Sequence, residues 1–314
     1  MDYEEMFGPD GPLARALPGF ATRAEQIAMA RLVHRALERG ERLIVEAGTG
    51  TGKTFAYLAP ALNSSKRVIV STGTRTLQDQ LYHRDLPMIA QALGRPVRVA
   101  LLKGRANYLC LHRLSLAEQQ AAARGMRREV AVALPEIREW SRITRTGDIA
   151  EVHRLSDEHP VWPWVTSTRE NCLGADCEMF ERCHVVHARR EAQAADVIVV
   201  NHHLLLADLV LKEEGFGDLL PGADAVIIDE AHQFPDIASS FLGFAVSSRQ
   251  IELLARDLEA ELLLCHAPVE GCAALAQTLE RQLRDLEATL DLKHGRRELA
   301  EWPAEVFEAI EQIQ

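Results

Sequence analysis

The stretch RLIVEAGTGTGKTFAYLAPAL at residues 42–62 limits the possible folds more than any other feature of this chain. Leu43, Ile44 and Val45 form a short aliphatic run with the look of a buried parallel strand. A loop carrying Gly48, Gly50 and Gly52 follows, and Phe55 to Leu62 reads as the opening turns of a helix. Strand, glycine loop and helix in that order make a phosphate cradle. Glycines let the backbone approach a phosphate chain with successive N–H groups turned inward, and the helix N-terminus adds the positive end of its dipole. Ala47, Gly48, Thr49, Gly50, Thr51 and Gly52 line such a cradle, Lys53 reaches the β- and γ-phosphates, and the Thr54 hydroxyl meets Mg²⁺. Ala47 stands where the strict pattern has its first glycine.

A second signal lies far downstream, in ADAVIIDEAHQF at residues 223–234. Val226, Ile227 and Ile228 again read as a buried strand, with Asp229 and Glu230 at its C-terminal end. That is the edge at which parallel α/β sheets bind ligands. A Mg²⁺ ion on nucleotide phosphates takes few protein ligands, and Asp229 suits that role. Glu230 is then placed to polarise an attacking water. Taken alone, the two acids also fit plain helix N-capping.

At 314 residues, the chain has room for two ordinary domains or one carrying large insertions. A hydrophobic share of 47% and a charged share of 26% indicate a soluble globular chain with a real core. No run approaches the roughly 20 apolar residues of a membrane span. The opening MDYEEMFGPDGPLARALPGF is acidic and broken by Pro and Gly, unlike a signal peptide. The expectation is therefore a cytoplasmic, monomeric protein with no membrane partner, in which clustered cysteines serve a metal or catalysis rather than disulfides.

Six cysteines occur, and three of them crowd into NCLGADCEMFERC at residues 171–183. Cys172, Cys177 and Cys183 have Cys110 as their upstream companion, and the four bracket a stretch lying between the two phosphate-site signals. Four thiolates suit zinc or an iron–sulfur cluster. Zinc sites favour symmetric pairs of closely spaced cysteines, whereas these run C-x4-C-x5-C with one remote. A segment so poor in aliphatics gains its folding energy from metal–sulfur bonds. The net charge of −11 argues against nucleic-acid binding, but its distribution does not. Residues 95–158 carry 12 Lys and Arg against 8 Asp and Glu, and residues 249–314 carry 7 against 14. Arg105, Arg113, Arg124, Arg127 and Arg128 are candidates for phosphate contacts, with solvated helix faces as the alternative. Trp140, Trp162, Trp164 and Tyr108 could stack on bases, although a small local core explains them better.

The AGTGTGKT and DEAH motifs together resemble the first RecA-like domain of a superfamily 2 nucleic-acid helicase. The cysteine pattern resembles the iron–sulfur helicases of the XPD/DinG family, and most of all its bacterial DinG and YoaA branch. The resemblance implies an α/β fold: a RecA-like parallel sheet with flanking helices, an inserted cluster subdomain and part of a helical arch. It implies the boundaries 1–100 and 191–245 for the two parts of the RecA-like domain, 101–190 for the insertion and 246–314 for the arch. It also implies ATP and Mg²⁺ as cofactors, a [4Fe–4S] cluster on the four cysteines, and single-stranded or forked DNA as partner, unwound 5′ to 3′ in repair or replication. Gln26, in FATRAEQIAMA, matches the adenine-reading amide, and His232 matches the residue that couples the site to a second helicase domain. Thr72, Thr74 and Gln78, in VIVSTGTRTLQDQL, match positions that lie along a nucleic-acid backbone.

Beyond residue 245 the sequence turns to amphipathic helices whose apolar residues recur at three- and four-residue intervals, with Cys265 and Cys272 reading as packing residues. No later series of strands and motifs offers a second helicase domain. The expectation is an N-terminal portion of a helicase; the rival is an ATP- and DNA-binding half-module without turnover. A third reading, an ATPase with structural zinc and a target other than DNA, also remains.

Overall fold

The computed structural model describes residues 2–242, apart from Pro18, Thr49, 124–125 and 214–218, together with 249–250 and a few positions between 253 and 285. Four parallel strands form one sheet: β1 (Val68–Thr72), β2 (Val99–Leu101), β3 (Val197–Asn201) and β4 (Ala225–Ile228), in the order β2-β3-β1-β4. Val68 pairs with Val197 on one side and Ala225 on the other, and Val99 also pairs with Val197. The runs are rich in Val and Ile because parallel strands covered on both faces need apolar, β-branched side chains on each.

Helices precede and link these strands. They are α1 (Tyr3–Met6), α2 (Pro12–Ala16), α3 (Ala24–Arg39), α4 (Lys53–Asn63), α5 (Arg75–Gln80) and α6 (Leu86–Leu93). Then come α7 (Leu111–Ala123), α8 (Arg128–Ile143), α9 (Trp162–Val165), α10 (His184–Ala194), α11 (His202–Glu213) and α12 (Phe234–Leu242). Alternation along the strands sorts the core into two layers. Val68, Val70, Val197 and Val199 pack with Ala30, Val33 and Leu37 of α3 and with Ala56, Leu58 and Leu62 of α4. Ile69, Ile198 and Val200 face the opposite way, onto Ala188 and Ala192 of α10 and Leu205 of α11. Each fully buried Leu or Ile contributes roughly 1.5–3 kcal/mol.

Two strand expectations need correction. Residues 41–48 form no strand, and Ile44 is 99% exposed. β4 forms, but with Val226 49% and Ile228 38% exposed it is a half-covered edge and not a buried strand. The two departures share a cause. A strand needs a neighbour for its backbone N–H and C=O groups, and among the described residues none lies on the outer side of β4.

The chain divides into two compact units, residues 1–117 with 127–243 and residues 118–126 with 244–314. Of the second, the described residues include Arg249, Gln250 and scattered helical positions, among them Thr278, whose hydroxyl donates to the Ala274 carbonyl. Cys265, Cys272 and the arch over 246–314 otherwise fall outside the described residues, as do Thr49 and Arg124. No helix among the described residues is long and apolar enough to cross a membrane.

Candidate nucleotide site

Helix α4 starts at Lys53, with Gly52 as its N-cap in the left-handed region at φ 79°. Gly50 adopts a similar φ of 78°. Gly52 is also tightly packed, since a Cβ there would lie 2.1 Å from the Gln26 amide nitrogen. Gln26 is 2% exposed and donates to the Gly52 carbonyl at 3.0 Å. The structure therefore places Gln26 as a brace for the loop, with its amide oxygen buried and unbonded. Thr51 closes the loop by donating to the Gly48 carbonyl at 2.9 Å. The Lys53 ammonium donates to the Ala47 carbonyl at 3.1 Å.

The acidic turn that follows β4 meets this loop. The Asp229 N–H donates to the Ser71 carbonyl at 2.8 Å, extending the β1–β4 ladder by one bond. Glu230 then enters the left-handed region at φ 51°, the one non-glycine residue with positive φ among the described residues. Such a conformation costs roughly 1–2 kcal/mol for an L-residue with a long side chain. It turns the Glu230 carboxylate toward the loop, 3.9 Å from the Lys53 ammonium. His232 is 71% exposed, with Nδ1 3.4 Å from the other Glu230 oxygen. Burial pushes the Asp229 carboxyl above its ordinary value, and the neighbouring Glu230 charge adds to this, while Tyr57 and Lys53 act against it. Two carboxylates, a lysine and the N-terminus of α4 thus converge: the positive groups suit phosphate, and the carboxylates suit a divalent cation between them.

The three residues matched to nucleic-acid contact are placed differently from one another. Thr74 is exposed and caps α5, accepting from the Leu77 N–H at 3.2 Å. Thr72 and Gln78 are fully buried. Gln78 donates to the Leu102 carbonyl at 3.0 Å and the Val199 carbonyl at 3.4 Å, so it ties α5 to the sheet. Of the three, Thr74 alone faces solvent. Gln233 packs on Gly73, where a Cβ would lie 2.2 Å from its amide oxygen.

Reading the sequence missed three polar residues of the interior. Tyr57 follows Thr54 by one helical turn and lies buried beside Asp229. His202, fully buried at the end of β3, shares a 2.7 Å hydrogen bond with the Ser71 hydroxyl through Nδ1. Lys103 is buried with its ammonium 2.7 Å from both Asp79 and Asp148. Tyr57 and His202 could have been suspected from position, three residues past Thr54 and just past a strand's C-terminal end. Nothing local marks Lys103.

All four clustered cysteines are half-buried free thiols. Cys110 follows Tyr108 and Leu109, which bridge to Asp148 and Thr166, and its N–H donates to the Val165 carbonyl at 2.8 Å. Burial pushes its thiol up, and the charges of Cys183 and Cys177 push in the same direction. Arg189, held down by burial and by Arg105, feels the opposite pull of Cys172 and Cys183. The four sulfurs therefore lie within electrostatic reach of one local region. Among the described residues, however, no three His, Cys, Asp or Glu side chains meet at metal-binding spacing. The short turns Gly174–Asp176 and Phe180–Arg182 bury no residue, as the lack of aliphatics requires. Trp162 and Tyr108 are interior: the indole donates to the Ser156 carbonyl at 2.8 Å, and the phenol accepts from the Lys103 N–H at 3.0 Å. Trp140 donates to Glu151 at 3.0 Å. Arg113 is buried, whereas Arg127 and Arg128 are exposed.

Comparison with known proteins agrees with this geometry. A family described as DEAD/DEAH box helicase matches residues 26–125. The chain is 56% identical over 253 residues to the ATP-dependent DNA helicase YoaA of Escherichia coli, covering 80% of this chain and 39% of that protein. It is 49% identical over 296 residues to the YoaA of Haemophilus influenzae, covering 92% and 46%. It is 36% identical over 266 residues to the ATP-dependent helicase DinG of Mycobacterium tuberculosis, covering 78% and 39%. The chain thus spans less than half the length of these relatives. With a parallel α/β sheet, a glycine loop and a DEAH turn facing each other across its edge, this chain carries a DEAD/DEAH box helicase domain and belongs to the family of YoaA and DinG.

Proposed function

We propose that this chain is the nucleotide-hydrolysing portion of an ATP- and Mg²⁺-dependent DNA helicase of the YoaA/DinG kind, acting on single-stranded or forked DNA. One observation carries the reading: Lys53 and Glu230, from loops far apart in sequence, stand 3.9 Å apart. Lys53 would release the Ala47 carbonyl to hold the β- and γ-phosphates, with the loop N–H groups around them. Thr54 and Asp229 would hold the cation, which supplies charge neutralisation on the transferred phosphoryl. Glu230 would orient water and take its proton. His232 would couple the site to a second domain, a reading supported by its exposure and its approach to Glu230.

Cys110, Cys172, Cys177 and Cys183 are the residues that would hold a [4Fe–4S] cluster. Support comes from four free thiols in one electrostatic neighbourhood and a segment with no buried residues of its own. When bound, the cluster supplies folding energy to 171–183 and hence to the inserted region 101–190. Thr74, Arg127 and Arg128 are the exposed candidates for backbone phosphates.

The test is ATP hydrolysis by the anaerobically purified chain, with and without single-stranded DNA, beside Lys53→Ala. DNA-stimulated turnover abolished by the substitution supports the proposal, and turnover that survives it refutes the site. Nucleotide binding without turnover favours the half-module reading.

A further inference from the structure

We propose that Gln233 is a positioning residue that joins the acidic turn to the loop carrying Thr74, so that nucleic acid held at Thr74 and nucleotide held at Lys53 strengthen each other's binding. This rests on the helicase reading and adds a residue to it. The starting observation is Gly73, which lies between the end of β1 and Thr74, the N-cap of α5. Gly73 is not in the left-handed region, so its backbone conformation does not call for glycine. Space does. A Cβ at Gly73 would lie 2.2 Å from the Gln233 amide oxygen, 3.0 Å from its amide carbon and 3.5 Å from its amide nitrogen. The amide group of Gln233 rests where a side chain on residue 73 would be.

Gln233 is also tied to the turn itself, since its N–H donates to the Glu230 carbonyl at 3.0 Å across the short helical turn Ala231–Gln233. The same turn is anchored to Ser71 twice. The Asp229 N–H donates to the Ser71 carbonyl at 2.8 Å. Phe234 meets the His202 ring edge-on, with centroids 5.3 Å apart, and that ring shares its 2.7 Å hydrogen bond with the Ser71 hydroxyl. Glu230 keeps its φ of 51° between these anchors, and a costly conformation persists only where its surroundings hold it. Ser71 and Gly73, two residues of one strand end, thus set the turn that aims Glu230 at Lys53.

The next residues, Thr74, Arg75 and Thr76, are exposed. A displacement of Gly73 moves the Gln233 amide, because close-packed contacts transmit strain. Gln233 in turn carries Glu230 through its backbone bond. The two states are a turn seated on Gly73, with Glu230 facing Lys53, and a turn released from it. Nucleotide favours the seated turn through Glu230, and a nucleic-acid phosphate favours it by fixing the loop at Thr74. Such coupling is reciprocal.

The experiment titrates a non-hydrolysable fluorescent ATP analogue with Mg²⁺ into the purified chain, with and without saturating oligodeoxythymidine, and the oligonucleotide with and without the analogue. Gln233→Ala, Gly73→Ala and Lys53→Ala are treated alike, with a thermal melt of each. In the wild type each ligand should tighten the other by about fivefold or more. Gln233→Ala should bind either ligand alone as the wild type does, while the mutual tightening disappears. Gly73→Ala, which drives the amide away, should lose the tightening too, and the double variant should lose nothing further. Mutual tightening that survives in Gln233→Ala, with or without a lower melting temperature, makes Gln233 structural and overturns the proposal. If both ligands bind the wild type independently, the coupling falls and the nucleotide site stands. If the oligonucleotide does not bind, the nucleic-acid reading of Thr74 fails and the coupling with it. If Lys53→Ala binds the analogue as well as wild type, the nucleotide site itself is wrong.

Discussion

Replacing Lys103 with methionine should be among the most damaging single changes outside the nucleotide site. Its side chain is 2% exposed, and its ammonium is 2.7 Å from one oxygen of Asp79 on α5 and 2.7 Å from one of Asp148. Methionine keeps most of the volume but removes the charge that both carboxylates share. Breaking a buried ion pair costs about 3–5 kcal/mol, because the partner is left charged and desolvated. Asp148 is 14% exposed and takes that penalty nearly in full; Asp79, at 34%, keeps part of its hydration. The expected loss is therefore near the lower end, about 3 kcal/mol. With a urea dependence of about 2 kcal/mol per molar, the unfolding midpoint should fall by about 1.5 M. Adding Asp79→Asn and Asp148→Asn to Lys103→Met should recover most of the loss, since the stranded charges go with it. A midpoint shift below about 0.3 M for Lys103→Met, or no recovery in the triple variant, would refute the reasoning.

Gly52→Ala should cost about 2–3 kcal/mol in the same unfolding assay, adding left-handed strain at φ 79° to a Cβ 2.1 Å from Gln26 and the loss of the Gln26 bond to the Gly52 carbonyl. Glu230→Gly should stabilise the fold by about 0.5–1 kcal/mol by relieving the strained φ of 51°, while ATP hydrolysis is lost. Burial holds the His202 imidazole below its ordinary value of 6.5, against an opposing pull from the Asp229 backbone. The unfolded chain takes up that proton before the native one does, so this contribution is intact above pH 6.5 and falls away below it. Melting temperatures between pH 7.5 and 5.5 should fall less steeply in His202→Gln. Cys177→Ser should lower iron and sulfide content and expose 171–183 to protease, because that segment has no core to fall back on.

Much of the fold was readable because the chemistry is local. The aliphatic run at β4 and the glycines before Lys53 each carry their structure in a few consecutive residues. What failed was non-local. Leu43 to Val45 has strand composition but no described partner, and composition cannot supply one. Gln78 was matched to a nucleic-acid contact, yet its amide donates to the interior carbonyls of Leu102 and Val199, both distant in sequence. The bond from Gln26 to the Gly52 carbonyl, 26 residues away, also had no local signal. Lys103 was invisible because both its partners are distant in sequence. The carboxylates and Lys53 were legible as individual residues; that Glu230 stands 3.9 Å from Lys53 required the fold.

The most direct test of the central claim is a crystal structure of this chain with Mg²⁺ and a non-hydrolysable ATP analogue. The account predicts the β- and γ-phosphates over residues 48–54, Lys53 released from the Ala47 carbonyl, the cation between Thr54 and Asp229, and Glu230 facing the γ-phosphate. A nucleotide bound elsewhere, or Glu230 turned away from it with Lys53 still on Ala47, would contradict it.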